Sequence, residues 1–186
     1  MSITPKQKEL YKKIGPMLGT DARVIKYMDE INVHTAYVLE CPDPTDDTVQ
    51  FYATIGLCEF PIDSLLVELL YGAYTSAELA GNMVSTCAFF IIKDQWKVAH
   101  GTVFETLVEM YYPDSEMKHL YFTTPFLWED KLEGFTVQDE AVHFFLAIPI
   151  SDAELGFKNE NGTEALEELL QNHDIDVFDV YRKSII

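Results

Sequence analysis

Few residues of this chain are placed to do chemistry, and none falls into a complete constellation. Cys58 stands beside Glu59, just after Gly56 closes an apolar stretch. With His100 it could form a thiol–imidazole pair in which the ring withdraws the thiol proton. The plainer reading is a buried cysteine packed as a small hydrophobe. Asp43, Asp46 and Asp47 offer carboxylates for Ca²⁺, but the run lacks the glycine and distal glutamate of a loop site. Its proline and aspartate content equally describes a solvated turn. His34, His100, His119, His143 and His173 are scattered, with no pair at i, i+3 or i, i+4 and no HExxH. His143 reads as a satisfied core or edge histidine. Neither a GxSxG nucleophile elbow nor a GxxxxGK[ST] phosphate loop occurs. Asn161-Gly162-Thr163 matches a glycosylation acceptor, a signal with meaning only in a secreted chain. No cofactor, metal or catalytic residue is expected.

Charge says more. There are 31 acidic and 13 basic residues, a formal net of -18, and the stretch 129–179 holds 14 carboxylates against Lys131 and Lys158 alone. Direct binding to nucleic acid or to an anionic membrane is not expected, because both need clustered Lys and Arg. A basic protein partner would be drawn in over about 8 Å, one Debye length at physiological salt. Such a surface can also serve only to keep a protein soluble. The densest apolar run, Ser85 to Ile92, stops at Lys93-Asp94, short of the ~18 residues of a membrane span. The N-terminus lacks the charged start and apolar core of a signal peptide. Cys41, Cys58 and Cys87 are odd in number and lack CxxC spacing, which suits thiols in a reducing compartment. A cytoplasmic location is expected.

The elements that must position these residues follow from periodicity. Thr4, Pro5 and Gln7 spell a capped helix start, with Leu10, Ile14 and Met17 on one face until Gly15-Pro16 forces an end. Residues 32–42 and 48–56 read as two strands joined by the Pro42–Asp47 turn. Residues 64–72 are ambiguous between helix and buried strand. Thr75-x-x-Glu78 reads as a capping box opening a helix with Leu79, Met83, Cys87 and Phe90 or Ile91 on one face. Between Trp96 and Trp128 the helical period is lost, and short strands or extended loops are expected. Residues 142–150 form the strongest strand, apolar on both faces and therefore central. Pro149 is expected to stop its ladder, with Ser151-x-x-Glu154 capping the next helix. Asn161-x-x-Glu164 would cap a last helix burying Leu166, Leu169 and Leu170. A hydrophobic content of 48% and this alternation describe one mixed α+β domain.

In this order the segments resemble the suppressor of fused domain in its single-domain bacterial form. The resemblance rests on "YATIGLCEFP" (Tyr52–Pro61), "VELLYG" (Val67–Gly72), "FFLAIPISDAE" (Phe144–Glu154), Gly162 with the leucine-rich helix after it, and Asp179-x-x-Arg182. It implies a mixed, mostly antiparallel sheet flanked by helices, and places the ambiguous residues 64–72 in a strand. It implies residues 30–186 as the core, with 1–29 as an N-terminal helical extension, and no enzymatic activity. Thr54, Gly56, Glu68, Pro149, Ile150, Glu154, Gly162 and Arg182 are the motif positions, with structural roles; Glu154 and Arg182 could form an ion pair. Animal members restrain a transcription factor by clamping a peptide strand between this domain and a second one, which this chain is too short to hold. Bacterial members are often proposed to neutralise a toxin, commonly a nuclease.

Charge and resemblance together lead to a non-enzymatic immunity protein that binds a basic toxin or nuclease. Glu129, Asp130, Glu133, Asp139 and Glu140 are the candidate contact residues. Peptide capture at a sheet edge free of charges and prolines is the alternative. A thiol enzyme built on Cys58 and His100 is the third, and oligomeric state is not legible.

Overall fold

The computed structural model describes residues 3–19, 21–31 and 33–186, apart from the side chain of Glu129. The chain runs through α1 (Pro5–Leu18), β1 (Arg23–Met28), β2 (Thr35–Pro42), β3 (Val49–Thr54), β4 (Val67–Tyr74) and α2 (Ala80–Asp94). It continues with β5 (Val103–Phe104), α3 (Leu107–Tyr111), β6 (Met117–Thr123), α4 (Glu129–Leu132), β7 (Thr136–Val137) and β8 (Glu140–Ala141). The last elements are β9 (His143–Ser151), α5 (Asp152–Asn161) and α6 (Thr163–Asn172). Seven strands form one sheet in the order β1-β2-β3-β4-β9-β6-β5, and β7 and β8 pair separately. Among the described residues, only the β4–β9 pairing of the large sheet is parallel. This is a single α+β domain with a mostly antiparallel mixed sheet.

Alternation along the strands divides the core in two. Val38, Leu69, Tyr71, Phe122 and Ala147 face α2 and α3 on one side. Leu39, Leu70, Tyr121, Leu146 and Ile148 pack with α1 and α6 on the other. β9 is buried on both faces, as its unbroken apolar run requires.

Several expectations change on contact with tertiary structure. Helix α1 has the predicted capping box but continues through Pro16 to Leu18. A proline in the last turn removes a single hydrogen bond, and the burial of Leu18 offsets that loss. The segment before residue 30 also contains β1, whose charged residues, Arg23 and Lys26, fall three apart and so break the alternation that would mark a strand; it pairs antiparallel with β2. Of the expected 32–42 strand, Asn32 lies outside the described residues, and β2 begins at Thr35. Thr75 and Glu78 form no cap: the Thr75 N–H donates to Thr48 O, so Thr75 still belongs to the strand layer. Helix α2 opens later, at Ala80, and leaves Leu79 and Phe90 exposed while burying Met83, Cys87 and Ile91. The stretch after Trp96 holds the short helix α3 as well as strands.

Asn161 ends α5 instead of capping α6, its side chain donating to Phe157 O. Gly162 makes the corner between them at φ +96°, a conformation that favours glycine. Pro149 does not stop the ladder either, for β9 runs on to Ser151. Pairing of β4 with β9 ends at Ala147, and the Pro149 carbonyl turns to Arg182 Nη2, 2.9 Å away, on the side β4 has left. A strand residue points its N and C=O to the same side, so the missing N–H falls where no ladder bond is needed.

Gly72 marks a close approach. A Cβ there would stand 2.7 Å from the Phe178 ring. The chain beyond α6 docks here, Phe178 O accepting from Tyr74 N–H. Gly72→Ala is expected to lower stability by about 1–3 kcal/mol, read from the urea midpoint. An unchanged midpoint would show that Phe178 swings away freely.

Candidate functional site

The motif residues assemble at the two ends of β9. At its start, Glu68 of β4 lies opposite Phe144 and is fully buried. Its carboxylate accepts from Thr54 Oγ1 at 2.5 Å, Gly56 N at 2.9 Å and Cys58 N at 3.1 Å. Thr54 Oγ1 in turn accepts from Leu69 N–H. The carboxylate therefore satisfies the turn after β3, where Gly56 sits at φ +91°. Burial pushes the Glu68 carboxyl up to about 7, against the pull of those hydrogen bonds. The same turn presents Glu59, which accepts from Thr4 Oγ1 at 2.6 Å and Gln7 Nε2 at 2.9 Å, hooking the start of α1 to the sheet. Sequence reading passed over this role of Glu59, because nothing local marks it.

At the other end of β9, the ion pair between Glu154 and Arg182 is formed. Both guanidinium Nη atoms reach carboxylate oxygens at 2.7 Å, and both side chains are buried. Ser151 caps α5 by accepting from Glu154 N–H, while Glu154 accepts from Ser151 N–H in return. Arg182 also donates to Pro149 O and Lys183 O, so the pair ties the C-terminal arm to the β9–α5 corner. Ile150, beside Pro149 in β9, is completely buried. Every oxygen of both carboxylates is engaged within the fold.

The residues considered for catalysis are not brought together. Cys58 is buried next to Glu68, and burial first, then the nearby carboxylate, drives its thiol far above the ordinary range. A thiolate nucleophile is disfavoured there. His100 instead faces Glu167, 2.8 Å away, whose Oε1 also accepts from Tyr121 and Thr123. His143 is exposed at the first position of β9. Asp43 and Asp46 turn inward on their own loop, each accepting from a threonine N–H and hydroxyl two residues on. No group of three potential ligands converges on a metal position among the described residues. No helix among them is long and apolar enough to cross a membrane.

The acidic contact candidates do share one region. Asp130 lies on α4, Glu133 follows it, and Asp139 and Glu140 sit at the β7–β8 hairpin, all exposed. The side chain of Glu129 lies outside the described residues. The hairpin turn places both Gln138 and Asp139 at positive φ, 51° and 63°, the strained geometry of a two-residue turn normally given to Asn and Gly. Glu140 is already paired with Lys6 at 2.7 Å. Neither sheet edge is a long uncharged template, since β1 carries Arg23 and Lys26 and β5 has only two residues.

Comparison with known proteins agrees with this architecture. The "Immunity protein YqcF" of Bacillus subtilis (strain 168) is 30% identical over 192 residues, covering 100% of both chains. A crystal structure of a putative SUFU homolog from Neisseria gonorrhoeae FA 1090 superposes with a TM-score of 0.78 at 16% identity, covering 97% of each chain. A chain of the Sufu–Fu complex superposes at 0.69 with 11% identity, covering 98% of this chain and 93% of that one. Drosophila Suppressor of Fused superposes at 0.60 with 10% identity, this chain spanning 51% of it. These structural likenesses concern the fold. The sequence model of the Suppressor of fused protein (SUFU) family matches residues 29–183, and the chain belongs to that family.

Proposed function

We propose that this protein acts by binding, as an immunity protein that neutralises a toxic protein partner in the cytoplasm without catalysing a reaction. The observation that carries the reading is the full-length identity of 30% with a protein named as an immunity protein. The buried, fully engaged carboxylates and the inaccessible Cys58 support a binding role over a catalytic one. Within this reading the partner is a basic protein, such as a nuclease. The net charge of -18 favours its encounter, and Asp130, Glu133 and Asp139 at the α4 and hairpin surface are its contacts.

The test is a pull-down of the tagged protein from its native cells, washed at low salt and again at about 0.5 M salt, where screening shortens the Debye length severalfold. A basic protein retained at low salt and released at high salt is expected. Asp130→Lys/Glu133→Lys/Asp139→Lys should slow its association roughly tenfold, since such charges act chiefly on the on-rate. Association at the native rate by that variant would remove this surface from the interface. A retained partner that is acidic would overturn the charge argument itself.

A further inference from the structure

The charge of this molecule is divided in a way its net value conceals. Residues 1–28 carry six basic and two acidic side chains, a net of +4, while the rest of the chain stands at -22. In α1, Lys8, Tyr11, Lys12 and Gly15 share one flank by their i, i+3, i+4, i+7 spacing. That flank faces the start of β1, for the Tyr11 hydroxyl donates to Ala22 O at 3.1 Å. The opposite flank is occupied, Lys6 pairing with Glu140 and Lys13 with Glu9 and Thr136 O.

Along β1, Tyr27 packs towards α2, which leaves Val24, Lys26 and Met28 on the α1 side of the sheet. Tyr11, Val24 and Met28 are 38%, 37% and 46% exposed, leaving apolar side chains open to solvent on both elements. Lys8, Lys12 and Lys26 are exposed around it. Among the described residues these three form no ion pair or side-chain hydrogen bond, in a chain with 31 carboxylates to choose from. Asp21 is the one carboxylate of the N-terminal 28 residues not turned to the other flank.

We propose that the exposed surface formed by this flank of α1 and the neighbouring face of β1 docks a short acidic segment of a partner protein, with apolar side chains spaced between its carboxylates. Charge complementarity selects the occupant. Three lysines match a few carboxylates, and the exposed Tyr11, Val24 and Met28 offer contacts to the side chains between them. A nucleic acid or an anionic bilayer would extend past the patch onto the acidic remainder, where its charges are repelled. A second copy of this chain carries the same net negative charge and is disfavoured on approach. This surface is distinct from the α4–hairpin face and does not depend on the identity of the toxin.

The test uses the full-length protein and a fluorescent peptide alternating Glu and Leu, with a Lys–Leu peptide, a short DNA duplex and phosphatidylserine vesicles as competitors. Saturable binding of the Glu–Leu peptide, weakened by salt, is expected. Lys8→Glu/Lys12→Glu/Lys26→Glu should weaken it about tenfold or more. The same variant should keep the native melting curve and acquire affinity for the Lys–Leu peptide. Lys97→Glu, after α2 where Lys97 pairs with Asp63, should bind within about twofold of native. Undiminished binding by the triple variant, no binding by the native protein, tighter binding of DNA or vesicles, or salt-sensitive self-association in place of peptide binding would each overturn the proposal.

Discussion

Replacing Arg182 with alanine is expected to cost about 3–5 kcal/mol of folding stability, a large share of what a domain of this size has in reserve. The cause is the carboxylate left behind. Glu154 is fully buried, and its oxygens are held by Arg182 together with the Ser151 and Ile185 N–H groups. Removing the guanidinium leaves a charge in a space water does not reach, and also frees the Pro149 carbonyl. Glu154→Ala should cost a comparable amount by stranding Arg182. The double variant should be far less damaged than the sum, because the second removal takes away the orphaned charge. Urea melts of the four proteins would measure this coupling. Additive losses would show that the two side chains do not depend on each other. Replacement of the pair by Leu and Met should recover stability, since well-packed apolar side chains often equal a buried ion pair.

Glu68 has the second large effect. Glu68→Ala should cost about 3 kcal/mol or more, from the unmet N–H groups of Gly56 and Cys58 and the cavity beneath them. The pH dependence is a sharper signature. In the folded protein this carboxyl is raised to about 7, against an ordinary value of 4.5. Between those limits the folded chain keeps a proton that the unfolded chain has released. The contribution of Glu68 to stability is therefore greatest at the acidic end and falls as pH rises through 7. The total is on the order of 3 kcal/mol. Glu68→Gln keeps an acceptor for the two N–H groups and removes the titration, so its melts should lose this slope between pH 4.5 and 7. An identical slope in the variant would assign the effect to another group. Because the turn that Glu68 holds also carries Glu59, which anchors the start of α1, its loss should loosen α1 as well.

How much of this was legible beforehand differs by element. The cap of α1, the β2–β3 hairpin, the central position of β9 and the Ser151–Glu154 box were readable because each is local, set by spacing within a few residues. The strand identity of β4 was not, since its leucines favour a helix. It came from resemblance, and the buried position between β3 and β9 supplies the physical reason. The Thr75 box failed because Thr48 O, just before β3, accepts the Thr75 N–H that the box would use, a competition invisible in one segment. Strand β1 was missed for a related reason. As an edge strand half open to water it needs little apolar pattern, only a neighbour to pair with.

Composition and order by themselves determined that this is one acidic α+β domain of the suppressor of fused kind, with a formal net charge of -18. Short-range spacing and total charge carry that information. The Glu154–Arg182 pair, 28 residues apart, was expected from the motif order and is formed, while tertiary structure alone decided that Glu68 serves a turn 10 to 14 residues away and that Cys58 and His100 stay apart. It alone separated the lysines of α1 into a neutralised flank and an unpaired one. A buried charge must find its counterpart wherever the fold brings one, and which groups meet depends on strand order, which no local spacing records.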